Sequence, residues 1–260
     1  MEKLKGLIHL KILKKISEIL FTIWTAFSYV IYVVIYGDFV LLVSFIIQIF
    51  KGKPAAIIYV KRQIHYFCKA TFLFTFTKVT VKGKENVPEK GPFVIASNHQ
   101  SYLDIPAAGG YVFWDLTFIA KKELSKIPPI SWFIKRSGGV FIDRGNRSQT
   151  ARVLRDLVKK LRDGSVMLIF PEGTRAIDGV SLGEFKKDSL GLPYKMKIPV
   201  VPVSIDGTGK LFGKGDKSFK PSSVKILIDK PIYSENYESL SDFSDFIEKR
   251  VKSNLEELRR

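Results

Sequence analysis

Phe93-Val-Ile-Ala-Ser97-Asn98-His99-Gln100-Ser101-Tyr102-Leu103-Asp104 is an apolar run ending in polar residues, with a histidine five positions before an aspartate. Phe93 to Ala96 has the pattern of a buried strand that delivers His99 to the loop at its C-terminal end. On one helix, side chains five apart point about 140° away from each other, so the two cannot meet if both are helical. The spacing therefore predicts His99 in a turn and Asp104 in or just before the first turn of the next helix. A carboxylate there accepts one imidazole N–H, fixes the tautomer and leaves the other nitrogen to take a proton. No Ser or Cys is spaced to complete a triad, which suggests that the activated hydroxyl belongs to a substrate. The alternative is a capping box, Ser101-x-x-Asp104, in which Asp104 serves only backbone N–H groups. Pro106 weakens that alternative, because a helix starting at Ser101 would carry proline beyond the positions that tolerate it. Of the other two histidines, His9 lies in a basic N-terminal segment and His65 in the aromatic run His65-Tyr-Phe-Cys68.

Outward from this stretch, Thr77–Lys82 alternates and reads as a half-exposed strand, and Leu116–Ala120, Gly138–Ile142, Val166–Phe170, Ile198–Ile205 and Val224–Ile228 read as further strands. Thr150, Leu154, Leu157, Val158 and Leu161 form a helical stripe between two of them. A second stripe, Leu240 to Leu258, follows a Ser239-x-x-Asp242 cap. Alternating strands and helices predict an α/β fold: a mainly parallel sheet flanked by helices. Ligands of such sheets bind beyond the strands' carboxyl ends, where His99, Lys121, Arg144 and Glu172 are expected. In Phe170-Pro-Glu172-Gly173-Thr174-Arg175 proline stops the strand and Gly173 permits a tight turn, presenting a carboxylate beside a guanidinium. Arg175, with Arg144 from another strand, would grip a phosphate by its planar fork.

The chain of 260 residues carries a formal charge of +17 and a single cysteine, Cys68, so an internal disulfide is excluded. The charge is +7 over residues 1–70, +12 over 71–230 and −2 over 231–260, which calls for anionic partners. Five lysines among apolar residues in Met1–Lys15 suggest a basic helix at an anionic surface. Ile19–Tyr36 and Phe39–Phe50 are free of charge, and Gly37-Asp38 between them is a natural turn. Basic flanks on both sides favour a hairpin that enters and leaves one leaflet, against a single span or a buried helix pair. The division expected is 1–70, a basic segment with a membrane-associated two-helix motif, and 71–260, an α/β domain.

Four blocks stand in order: Asn98-His99-x4-Asp104; Gly138-x-x-Phe141-Ile-Asp-Arg144; Phe170-Pro-Glu-Gly-Thr-Arg175; and Ile198-Pro-Val-Val-Pro202-Val. The set resembles the glycerophospholipid acyltransferase family, in its bacterial 1-acylglycerol-3-phosphate acyltransferase branch, over about residues 77–205. The resemblance implies transfer of a fatty acyl group from acyl-CoA or acyl carrier protein to lysophosphatidic acid, giving phosphatidic acid. It implies that His99 is the base, Asp104 its orienter, and Lys121 an aid to the oxyanion. Arg144, Glu172, Gly173, Thr174 and Arg175 would bind the phosphorylated acceptor. It implies no cofactor and no metal, membrane lipids as partners, and a site on the cytoplasmic face of the inner membrane. Where many members read Phe-Lys-x-Gly, this chain has Phe185-Lys186-Lys187-Asp188. Glycerol-3-phosphate or another lysophospholipid would suit the same chemistry. A basic nucleic-acid-binding protein is the alternative from another class, with no nucleic-acid motif to support it.

Overall fold

The structure is a computed structural model that describes residues 2–143, 145 and 147–260. Among the described residues there are eight strands, β1 (Val79–Lys82), β2 (Phe93–Ser97), β3 (Leu116–Thr117), β4 (Ile119–Lys121), β5 (Val140–Ile142), β6 (Val166–Ile169), β7 (Val200–Asp206) and β8 (Val224–Ile228). Six of them form one sheet in the order β1-β8-β7-β2-β6-β3, parallel throughout except for the β7–β8 pair. β2 lies inside it, covered on both faces. Phe93 and Ile95 enter one core with Leu116, Val203 and Ile226, while Val94 and Ala96 enter the other with Leu161, Met167 and Phe243. Burial on both faces is why this strand reads as an unbroken apolar run.

The predicted Leu116–Ala120 strand divides at Phe118. β3 pairs with β6 for only two residues, after which β4 leaves to make a separate two-stranded parallel sheet with β5. Val140 N–H donates to Phe118 O at this point of departure. The strands bearing Lys121 and leading to Arg144 therefore belong to this small sheet, which corrects their expected place at the carboxyl edge of the main one.

Helix α1 (Glu2–Ile31) passes through a π-helical stretch, Tyr32–Tyr36, into α2 (Gly37–Phe74). The expected turn at Gly37-Asp38 is absent. Gly37 is helical, with φ −62°, and the Phe133 ring stands 3.2 Å from where its Cβ would lie. Glycine is there for close packing. The chain reverses at Gly52, whose φ of +81° and ψ of 168° suit glycine, and Pro54 begins the return arm in a first turn that tolerates it. The arms are antiparallel about Gly52: Trp24 Nε1 donates to Phe74 O at 3.1 Å, Tyr29 packs on Phe67, and Tyr36 hydrogen-bonds Gln63. The return arm buries Ala56, Val60, Cys68 and Phe72, and Phe72 joins the core of the sheet. The division expected at residues 70 and 71 thus falls within α2.

Outward-facing side chains of the hairpin are apolar and exposed, among them Leu20, Phe27, Ile35, Phe39, Ile49 and Phe50. His9–Phe74 is long and apolar enough to cross a membrane by length and composition. Exposed apolar surface on this scale is a mark of membrane association.

The layers are built further from α3 (Asp104–Tyr111), α4 (Pro128–Arg136), α5 (Arg147–Arg162) and α6 (Gly191–Met196). They are followed by the short α7 (Thr208–Phe212) and the long α8 (Leu240–Arg259). α2 and α3 cover one face of the sheet; α5 and α8 cover the other. Ser239 caps α8 by accepting from Asp242 N at 3.1 Å, a contact worth about 1 kcal/mol.

Candidate active site

β2 ends at Ser97, and the next residue secures the loop. Asn98 is fully buried, donates from Nδ2 to Ile205 O and accepts from Ile205 N, both at 2.8 Å, so its amide prolongs the β2–β7 ladder by one rung. His99 then leaves the sheet in the turn that joins β2 to α3. Its Nδ1 lies 2.8 Å from Oδ2 of Asp104, the first residue of α3.

Asp104 is fully buried, and among the described residues four groups donate to it. Oδ2 accepts from Gln100 N at 2.7 Å, Ser101 N at 2.8 Å and the His99 ring, and Oδ1 accepts from the Thr208 hydroxyl. The Gln100 and Ser101 N–H groups and the Thr208 hydroxyl all meet this carboxylate as an acceptor, so Nδ1 of His99 donates to it as well and Nε2 is left as the acceptor. The capping alternative is half present. Asp104 accepts from Ser101 N, but the Ser101 hydroxyl donates to Phe212 O at 2.5 Å and accepts from Leu103 N at 3.1 Å instead of capping α3. The imidazole lies flat on Phe170, with centroids 3.8 Å apart and planes 12° apart, and its side chain is 13 % exposed.

Phe170 opens the Phe170–Arg175 loop, which follows β6. Glu172 is buried, and both of its oxygens are engaged by backbone: Oε1 accepts from His99 N at 2.6 Å and Oε2 from Gly183 N at 2.7 Å. Burial pushes its carboxyl up to about 7, against the Gly183 and His99 N–H donors that hold it down. Ala176 N donates to His99 O at 2.8 Å, so the two loops are tied in both directions. Gly173 has φ +72°, and a Cβ there would lie 2.9 Å from the Lys186 side chain, so this loop and the Phe185–Asp188 segment lie together. Asp188 enters a 3-10 turn, Lys187–Leu190, and this is the path taken where glycine was expected.

Arg175 places its guanidinium 3.7 Å over the ring of Tyr102, an exposed residue in the dyad's own turn. Lys121 is exposed at the end of β4, and among the described residues no hydrogen bond ties it to His99 or Asp104. Arg144 lies outside the described residues. His65 is structural: its Nδ1 lies 2.7 Å from Gly109 O and joins α2 to α3. Among the described residues no group of three His, Cys, Asp or Glu side chains could hold a metal ion.

The residue that sequence reasoning passed over is Thr208. The signal was available in Gly207-Thr208-Gly209 directly after a buried strand, where flanking glycines allow close backbone approach. A Cβ on Gly207 would lie 2.0 Å from Ser223 O, and one on Gly209 would lie 1.9 Å from Gly179 O.

Comparison with known proteins gives a consistent result. The Acyltransferase family profile matches residues 78–206. A 1-acyl-sn-glycerol-3-phosphate acyltransferase from Chlamydomonas reinhardtii is 32 % identical over 238 residues, covering 89 % of this chain and 68 % of the relative. The chloroplastic enzyme BAT2 of Brassica napus is 32 % identical over 209 residues, and the match covers 76 % of this chain but only 59 % of that longer protein. The crystal structure of the 1-acyl-sn-glycerophosphate (LPA) acyltransferase PlsC from Thermotoga maritima superposes with a TM-score of 0.85 and 39 % identity. That superposition covers 95 % of this chain and 98 % of the other. With the fold, the ordered motifs and these likenesses together, the chain belongs to the acyltransferase family that includes the 1-acyl-sn-glycerol-3-phosphate acyltransferases.

Proposed function

We propose that this protein transfers a fatty acyl group from an acyl-CoA or acyl carrier protein thioester to the sn-2 hydroxyl of 1-acyl-glycerol-3-phosphate. The product is phosphatidic acid. The observation that carries the reading is the His99–Asp104 pair at 2.8 Å, with Asp104 sealed and the imidazole edge reaching solvent. Similarity to relatives named for this activity supports the choice of acceptor.

In the proposed step Nε2 of His99 takes the acceptor hydroxyl proton as the oxygen attacks the thioester carbon. The tetrahedral adduct collapses, the C–S bond breaks, and the proton passes from His99 to the departing thiolate. Asp104 holds the tautomer and stabilises the imidazolium, while the Phe170 face holds the ring plane. Lys121 would assist the oxyanion. Arg175 with Arg144, Gly173 and Thr174 would receive the acceptor's phosphate. Glu172 serves the acceptor indirectly, because both its oxygens already hold backbone N–H groups of the site's loops. The apolar face of the hairpin would seat in the cytoplasmic leaflet of the inner membrane, which holds the lipid acceptor.

Labelled lysophosphatidic acid incubated with the purified protein and each donor in turn should give phosphatidic acid, identified by mass. Parallel arms with glycerol-3-phosphate and lysophosphatidylcholine should be at least tenfold slower. His99→Ala should lower turnover at least about 100-fold, because a positioned general base contributes on that order. Absence of product from either donor with lysophosphatidic acid would overturn the assignment.

A further inference from the structure

We infer that Thr208 is a third, positioning member of the His99–Asp104 pair, holding the catalytic carboxylate in place from β7's far end through one hydroxyl hydrogen bond. The inference rests on the acyltransferase reading of His99.

Of the four donors on Asp104, three converge on Oδ2, and all three belong to the segment His99–Ser101. Those contacts are local. They would persist if turn and carboxylate swung together about the start of α3. Among the described residues the Thr208 hydroxyl alone reaches Oδ1, and it comes from 104 positions away in sequence. A carboxylate bound only through one oxygen can rotate about that contact; a donor on the second oxygen removes the rotation. Thr208 is itself fully buried and cannot pass this duty to water. Without its hydroxyl, Oδ1 would be a buried charged acceptor with no donor among the described residues.

The local backbone is arranged around this one side chain. Gly207 takes φ +99° with Ser223 O against its Cα, and Gly209 packs on Gly179, so side chains on either neighbour would displace the threonine. Gln100, next to His99, reinforces the same junction: its Oε1 accepts from Gly207 N at 3.2 Å, and its Nε2 lies 3.3 Å from Asp206 Oδ1. Arg259 of α8 donates from Nε to the same oxygen, Asp206 Oδ1, at 2.9 Å. Thr208 is therefore the point where a rigid frame built by β7 and α8 touches the reacting pair. Its methyl group fills space, but the hydroxyl is what acts on Asp104.

Thr208→Val keeps the shape and removes the donor, while Thr208→Ser keeps the donor and removes the methyl group. Thr208→Val should lower kcat at least about tenfold with the KM for lysophosphatidic acid changed less than about twofold, the size expected for losing a hydrogen bond to a charged group. Thr208→Ser should recover most of that kcat. In the full-length protein, the His99 Nδ1–H proton resonance should move in Thr208→Val and return towards its wild-type position in Thr208→Ser. An unmoved resonance, a kcat within twofold of wild type, or a serine variant as impaired as the valine variant would overturn the inference. If wild-type protein fails to acylate lysophosphatidic acid, the functional reading falls alone, because the resonance still tests the Thr208–Asp104–His99 link.

Discussion

The Glu172 carboxylate holds His99 by its backbone N–H rather than by its ring, and this gives Glu172 a measurable signature. Its folded carboxyl is raised from the ordinary 4.5 to about 7 by burial, so the folded state holds a proton that the unfolded chain releases. The contribution is fully present below about pH 4.5 and is lost as pH rises through about 7, amounting at most to about 3 kcal/mol. Glu172→Gln cannot titrate, and its amide must turn one N–H donor towards a backbone N–H. The variant should be less stable near pH 5 by roughly 1–3 kcal/mol, with a smaller difference at pH 8. Denaturant midpoints of both proteins at the two pH values check this; parallel pH dependences would show that Glu172 does not titrate in that window.

At the scale of elements, the join between the hairpin and the site is α3 on α2. Gly109 and Gly110 let the helices meet: a Cβ on Gly109 would lie 3.0 Å from Cys68 Sγ, and one on Gly110 would lie 3.1 Å from Lys69 N. Gly109→Ala should therefore destabilise by about 1 kcal/mol or more and lose most of that effect in a Cys68→Ala background, whereas Gly110→Ala meets backbone and should find no such relief. Thermal melts of wild type, Cys68→Ala and each glycine variant in both backgrounds measure the coupling, and equal costs of Gly109→Ala in both backgrounds would refute the contact. The same scale shows what could be read beforehand. β2, β6, β7, β8 and α8 were legible because a buried strand is an apolar run of fixed length and a packed helix repeats its stripe. The turn at Gly52 was not. Gly37 and Gly52 look alike in sequence, and only packing shows that one makes room for Phe133 while the other reverses the chain. Nor was the departure of β4 and β5 legible, since a strand's pattern does not name its neighbour. The dyad's spacing could be read because five positions exclude a shared helix face. The glycines beside Thr208 mark a close backbone approach, but they do not name Asp104 as its partner, because that residue lies far along the chain.

For the whole molecule, the return arm of the hairpin lies along the α/β domain and its outer face is apolar. Lys51 and Lys53 flank the reversal, and Arg136 of α4 donates to Gln48 close by, so on the proposed reading the tip would sit at the level of charged groups rather than deep in hydrocarbon. Cysteines placed at Lys14 and Lys53 in a Cys68→Ser background should both react with an impermeant reagent from the cytoplasmic side and neither from the other. Labelling from opposite sides would establish a span. The protein should also float with anionic vesicles, with part of its binding surviving high salt because apolar burial is not screened.

Asp104 is the first residue of α3, and α3 is stitched to the hairpin by His65 and the paired glycines. On the proposed reading a strut of this kind would fix the altitude of the reacting pair above the lipid plane. On the proposed reading the enzyme gauges an acceptor by how far its glycerol rises from the acyl region. A lysolipid lodged in the leaflet holds its hydroxyl at one height, while dissolved glycerol phosphate is spread through all heights and seldom waits at the right one. Turnover should then follow the number of acceptors per unit area of membrane, and diluting them with inert lipid should slow the enzyme even when their amount per volume is unchanged.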